Sequence, residues 1–133
     1  MKFAKLVFTV AGVWGLIVMT PLYFMFDFIG RSYPPAITHP DFYFGFIGLG
    51  LSWQFAFLVI GRDPARFSPM MMPAVCEKAL YVISLVVLYR SGRIELGQLA
   101  VGAPDLILGC LFATAAYKVR TKALHGDPLG SLR

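Results

Sequence analysis

Four apolar runs of about 20 residues dominate the chain, and short segments rich in proline, glycine and charge separate them. A run of that length crosses a ~30 Å hydrocarbon core as an α-helix. The runs are Leu6–Phe26, uncharged inside, Phe42–Ile60, Met70–Tyr89 and Leu99–Tyr117. The pattern predicts an all-α integral membrane protein: an antiparallel four-helix bundle forming a single domain over residues 1–133.

The linkers sharpen this picture. Asp27–Asp41 is the longest and holds three of the nine prolines, Pro34 and Pro35 adjacent, which predicts an ordered loop or interfacial structure in place of a tight turn. Gly61–Pro69 ends one run with glycine and opens the next with serine and proline, the residues of helix stop and start. Arg90–Gln98 is equally compact. No internal repeat or low-complexity tract interrupts the pattern.

Composition agrees with the bilayer assignment. Hydrophobic residues make up 58% and charged residues 14%, and the mean hydropathy is +0.71. A water-soluble domain of this size would leave too much apolar surface uncovered.

Charge adds orientation. Of twelve Lys and Arg, eight lie at the N-terminal end (Lys2, Lys5), in the second linker (Arg62, Arg66) and in the C-terminal tail (Lys118, Arg120, Lys122, Arg133). The first and third linkers hold Arg31, Arg90 and Arg93, and Lys78 lies within a run. The positive-inside bias then predicts both termini in the cytoplasm. A secretory signal in MKFAKLVFTVAG is disfavoured, because the apolar run is long and no small-x-small cleavage site follows it. The net charge of +5 does not imply a nucleic-acid partner: the cations sit where anionic headgroups lie, with no basic stripe of aromatic platforms. Membrane lipid is the expected partner. Cys76 and Cys110 stand alone without a CxxC, so packing explains them better than thiol-disulfide chemistry, and neither a cofactor nor a metal is expected.

Candidate chemistry lies in the polar residues inside the runs, where a charge costs at least about 2.5 kcal/mol on insertion scales. Counting along antiparallel spans separates two layers. Trp53, Gln54, Glu77 and Lys78 fall near the cytoplasmic side; Asp27, His39, Asp41 and Asp105 fall near the outer mouth. Glu77 and Lys78 project about 100° apart on a helix, so they are not expected to pair simply. Lys78 can snorkel to the headgroups, whereas Glu77 shares a face with Tyr81 and Ser84 and should point inward, toward Gln54 and Arg62 or Arg66. Glu77 is then either a clamp fixing helix register, a carboxyl that shuttles a proton or anchors a cationic or hydroxylated ligand, or a contact to another subunit. Asp105, beside Pro104, either satisfies backbone groups freed by the proline or meets Asp27 or His39 as an acid–base pair.

Simpler accounts stand beside these. Asp41 reads as an N-cap or first-turn acid with Pro40 as the helix start. In RDPAR, Asp63 caps the turn and pairs with Arg62 or Arg66, a lipid-phosphate role being the weaker option. Small residues mark close helix approach: Gly48, Ser52 and Ala56; Ala11 and Gly15; Gly109 and Ala113. The aromatic residues between Phe42 and Phe57 either line a pocket for a flat apolar ligand or face lipid.

HPDFYFGFIGLGLSWQFAFLVIGRDPARFSPMMMPAVCEK, with GAPDLILG in the last run, resembles a pattern of small four-span bacterial membrane proteins that implies no activity. In topology the chain is more remotely similar to DoxX-like proteins and to the EXPERA group of sterol isomerases and sigma-2-type receptors. That likeness implies carboxyls that stabilise a carbocation or bind an amine, at Glu77, Asp105 and Asp27, with Trp53 as cation-π partner. No EXPERA motif aligns residue by residue. Small multidrug exporters differ in placing a Glu in the first span, uncharged here.

Three functions follow as expectations. The first is a receptor or accessory subunit binding a small apolar or lipid-like ligand, with Asp27, His39, Trp53, Gln54 and Tyr81 around it. The second is an isomerase-type enzyme using Glu77 or Asp105 as acid/base. The third is a small transporter or structural subunit acting as a homo-oligomer.

Overall fold

The computed structural model describes residues 1–33 and 36–125; Pro34, Pro35 and Arg133 lie outside the described residues. The chain is an all-α membrane bundle. Its elements are α1 (Lys2–Met19), α2 (Phe26–Ser32), α3 (Pro40–Arg62), α4 (Met71–Arg90), α5 (Leu96–Ala100) and α6 (Ala103–His125). With short 3₁₀ turns extending α1 to Phe24 and starting α4 at Ser68, four stretches are long and apolar enough to cross a membrane: Lys2–Phe24, Pro40–Arg62, Ser68–Arg90 and Leu96–Ala123.

Local chemistry explains the breaks. Pro21 lacks an N–H to continue α1, and the chain tightens into the 3₁₀ turn there. Pro40 opens α3 behind His39, with Asp41 in its first turn as the sequence indicated. Asp63 ends α3 and accepts a hydrogen bond from the Arg66 backbone N–H at 3.1 Å; among the described residues it forms no ion pair with either neighbouring Arg. Gly92, at φ 69°, ends α4, with the Arg93 N–H reaching back to the Leu88 carbonyl at 2.9 Å, a left-handed cap that suits glycine. The long first linker contains α2, a seven-residue helix. The fourth span is not continuous: it breaks at Val101–Gly102, and Pro104 falls at the start of α6, where its missing N–H costs nothing.

The helices pack chiefly in two pairs, α1 on α3 and α4 on α6, joined where α1 meets α6; α3 and α4 touch little. Glycines set the α1–α3 seam. A methyl group on Gly12 would lie 2.7 Å from Leu58, and one on Gly15 would overlap the Gln54 side chain. Gly61 lets Thr9 approach in the same way. At the far end Tyr43 donates a hydrogen bond to the Leu22 carbonyl at 2.7 Å, and Phe26 stacks on Phe44.

The two pairs meet over three rings. Phe8 stacks on Phe112 with centroids 4.2 Å apart, and Phe57 meets Phe112 edge-on at 4.8 Å. All three are fully buried, with Ala4, Ala11, Met71, Ala74 and Ala115 around them. Elsewhere large apolar side chains point outward. No more than 28% of any of the four apolar windows is buried, so most of this surface requires lipid, not water, as its solvent. Cys76 and Cys110 are both exposed on that outer surface, so the expected packing role inside the bundle does not hold.

Candidate functional site

Two helices build the site. α4 supplies Glu77 and Lys78, and α6 supplies Asp105 in its first turn, where the helix dipole favours a carboxylate. One turn further along α6, Gly109 lets the backbone approach the Lys78 stem: a methyl there would lie 3.3 Å from Lys78 Cβ. Lys78 is therefore buried at 6% exposure.

Its ammonium is enclosed on several sides. Nζ lies 2.6 Å from Asp105 Oδ1 and 3.2 Å from Glu77 Oε2, and donates a longer hydrogen bond of 3.4 Å to Glu77 Oε1. The Phe57 ring of α3 sits 5.3 Å from it, within cation-π range. Two carboxyls thus share one ammonium, a cluster with one formal negative charge in excess. Glu77 Oε2 is buried and, although within ion-pair distance of Nζ, receives no aligned hydrogen bond.

This arrangement corrects several expectations. Glu77 and Lys78 do pair, because the long lysine chain bends across the 100° between adjacent positions. Lys78 does not snorkel: a carboxylate on the facing helix is a better partner than distant headgroups. Asp105 joins Lys78, not Asp27 or His39, so the two depth layers merge at this point. Beside the Lys78 ammonium stands Phe57; Trp53, the partner that the resemblance implies for a ligand's cation, lies behind it, its ring 5.9 Å from that of Phe57.

The remaining candidates lie apart. Gln54 is buried against α1, donating to the Gly50 carbonyl at 2.9 Å and approaching Met19 Sδ at 3.9 Å, and it has turned away from Glu77. Tyr81, half-buried, lies beside Phe46 at 6.2 Å. Ser84 is exposed and bonds the Leu80 carbonyl, so the expected polar face of α4 does not point wholly inward. Asp27 and His39 are exposed, His39 edge-on to Phe42 at 5.9 Å. Among the described residues no group of three His, Cys, Asp or Glu is placed to hold a metal ion.

Two cavities run along the α4–α6 seam. A groove of about 260 Å³ is lined by Lys78 and Asp105 together with Val82, Ile83, Leu106 and Cys110. It opens to the outer face, where Ile83, Leu106 and Cys110 are exposed. A larger cavity of about 720 Å³ lies toward the Met1 end. Val75 and Ala113 line both and stand between them along the seam.

Sequence reasoning sent Lys78 toward the headgroups and left Phe57 among aromatics that line a pocket or face lipid, so it did not bring the two together in the site. The available signal was charge balance: a Lys and two acids inside apolar runs cannot all remain unpaired in a bilayer. Comparison with known proteins found no matching family model, no matching curated protein and no matching solved structure.

Proposed function

We propose that this multi-pass membrane protein is a receptor or accessory subunit that binds a small apolar, lipid-like molecule in the groove between α4 and α6. The ligand's polar group hydrogen-bonds to Asp105 beside Lys78. One observation carries the reading: the groove opens sideways, on the exposed apolar face of the helices, and a charged pair lines it. Apolar walls with a few convergent polar groups are the usual make-up of a ligand site. The excess carboxyl calls for a ligand that donates, a hydroxyl or an ammonium.

The excess of cations at the Met1 end supports termini in the cytoplasm of a bacterial inner membrane. Both carboxyls are engaged by Lys78, which favours binding over acid–base turnover as an isomerase. They meet within one chain, which favours a ligand over a site assembled between copies.

Cys110 offers a direct readout, because it lines the groove while Cys76 does not. In membranes containing the protein, dodecanol or dodecylamine should slow alkylation of Cys110 by N-ethylmaleimide several-fold and leave Cys76 unchanged. Dodecane should have no effect, and Asp105→Asn should remove the protection. Equal protection by dodecane, or undiminished protection in Asp105→Asn, would contradict a polar contact at Asp105; no selective protection at all would contradict the site.

A further inference from the structure

We infer that the larger cavity, at the Met1 end of the bundle, is a binding site for a phospholipid with an anionic headgroup. This site is separate from the Asp105 groove and does not depend on the function proposed for it.

The shape supplies the first argument. The cavity of about 720 Å³ has an apolar wall formed by Met72, which is exposed, and by Val75 and Ala116, which are half-buried against the core. An acyl chain laid along that wall would continue the seam between α4 and α6. A free phosphate ion would leave the wall uncovered.

Charge supplies the second. Arg120 and Lys122 stand at the rim, and neither forms an ion pair among the described residues. Lys118, their neighbour, is differently engaged, its ammonium 4.5 Å from the Phe3 ring. Among the described residues the lining includes no acidic residue, so no carboxylate there offsets the two cations or pairs with the ammonium of a choline headgroup. Ser68, which opens the short turn before α4, also lines the cavity.

Position supplies the third. Lys2, Lys5, Arg62, Arg66, Lys118, Arg120 and Lys122 gather at this end with Asp63 as the sole acid among the described residues there. A cluster of that kind beside a span reads as a surface for anionic lipid. Among these cations, Arg120 and Lys122 are the two that line this cavity. A bound headgroup at that rim would place its glycerol and chains over the apolar wall, as a phospholipid in the surrounding leaflet is already oriented.

The test is native mass spectrometry of the full chain released from nanodiscs holding equal phosphatidylglycerol and phosphatidylcholine. Retained phosphatidylglycerol should exceed phosphatidylcholine roughly thirtyfold, the sum expected for two cations near the headgroup. Arg120→Gln with Lys122→Gln should abolish the preference, while Lys2→Gln with Lys5→Gln, an equal loss of charge, should preserve it. Millimolar inorganic phosphate should not displace the lipid. Equal losses in the two double variants would show diffuse attraction and overturn the site. Absence of a preference in the unaltered chain would overturn it as well, and displacement by phosphate would show a free-anion site instead.

Discussion

Lys78 Nζ lies 2.6 Å from Asp105 Oδ1 on the facing helix, closer than the 3.2 Å that separates it from Glu77 Oε2 on its own. The contact between helices is thus the tighter half of a three-residue cluster. It ties α4 to α6 in a region where apolar side chains gain nothing from leaving lipid for one another.

Removing the cation leaves two carboxyls without a counter-charge. Lys78→Met should lower stability by about 3–5 kcal/mol, the range for breaking a buried pair from one side. Adding Glu77→Gln and Asp105→Asn should recover most of the loss, since the neutral triple variant buries no charge. Reversible unfolding in mixed micelles reads both values. An unaffected Lys78→Met would show that the cluster is exposed to water in the membrane.

On the other side of the bundle, Gly15 carries the Gln54 side chain where a Cβ would stand. Gly15→Val should therefore cost about 1–3 kcal/mol through overpacking. Gln54→Ala in the same chain should restore part of it by vacating the space. The same unfolding measurement checks this, and no rescue would mean that the backbone, not Gln54, meets the new methyl groups.

Phe57 joins the cluster to the aromatic core, touching Phe8, Phe112 and the Lys78 ammonium. Phe57→Ala should cost about 3–5 kcal/mol, as for other buried Phe truncations. Phe55→Ala, on a ring 60% exposed two positions earlier, should cost well under half of that. Comparable losses at the two positions would place Phe57 outside the core.

The spans were legible in the sequence because hydrocarbon thickness fixes helix length, and proline, glycine and serine mark the ends. The break before α6 was not, since a run of apolar residues continues through Val101–Gly102 and only the placing of Pro104 hints at it. Helix neighbours were the larger gap. Depth counting placed Gln54 level with Glu77, but level residues touch only when their helices pack, and α3 packs on α1. The small-residue ridge on α3 was likewise expected at Gly48, Ser52 and Ala56, whereas Gly50, Gln54 and Gly61 face α1. Those two sets lie on different sides of one helix, and periodicity alone does not choose between them. For Lys78, rotational position argued against Glu77, and the reach of a four-carbon chain decided otherwise.

The proposed ligand site is tested most directly by a density map of the protein in nanodiscs of native lipid. Elongated non-protein density in the groove between Val82 and Cys110, with a polar end at hydrogen-bond distance from Asp105, is the result expected. A groove filled by a helix of a second copy, or by chain density with no polar contact to Asp105, would contradict it.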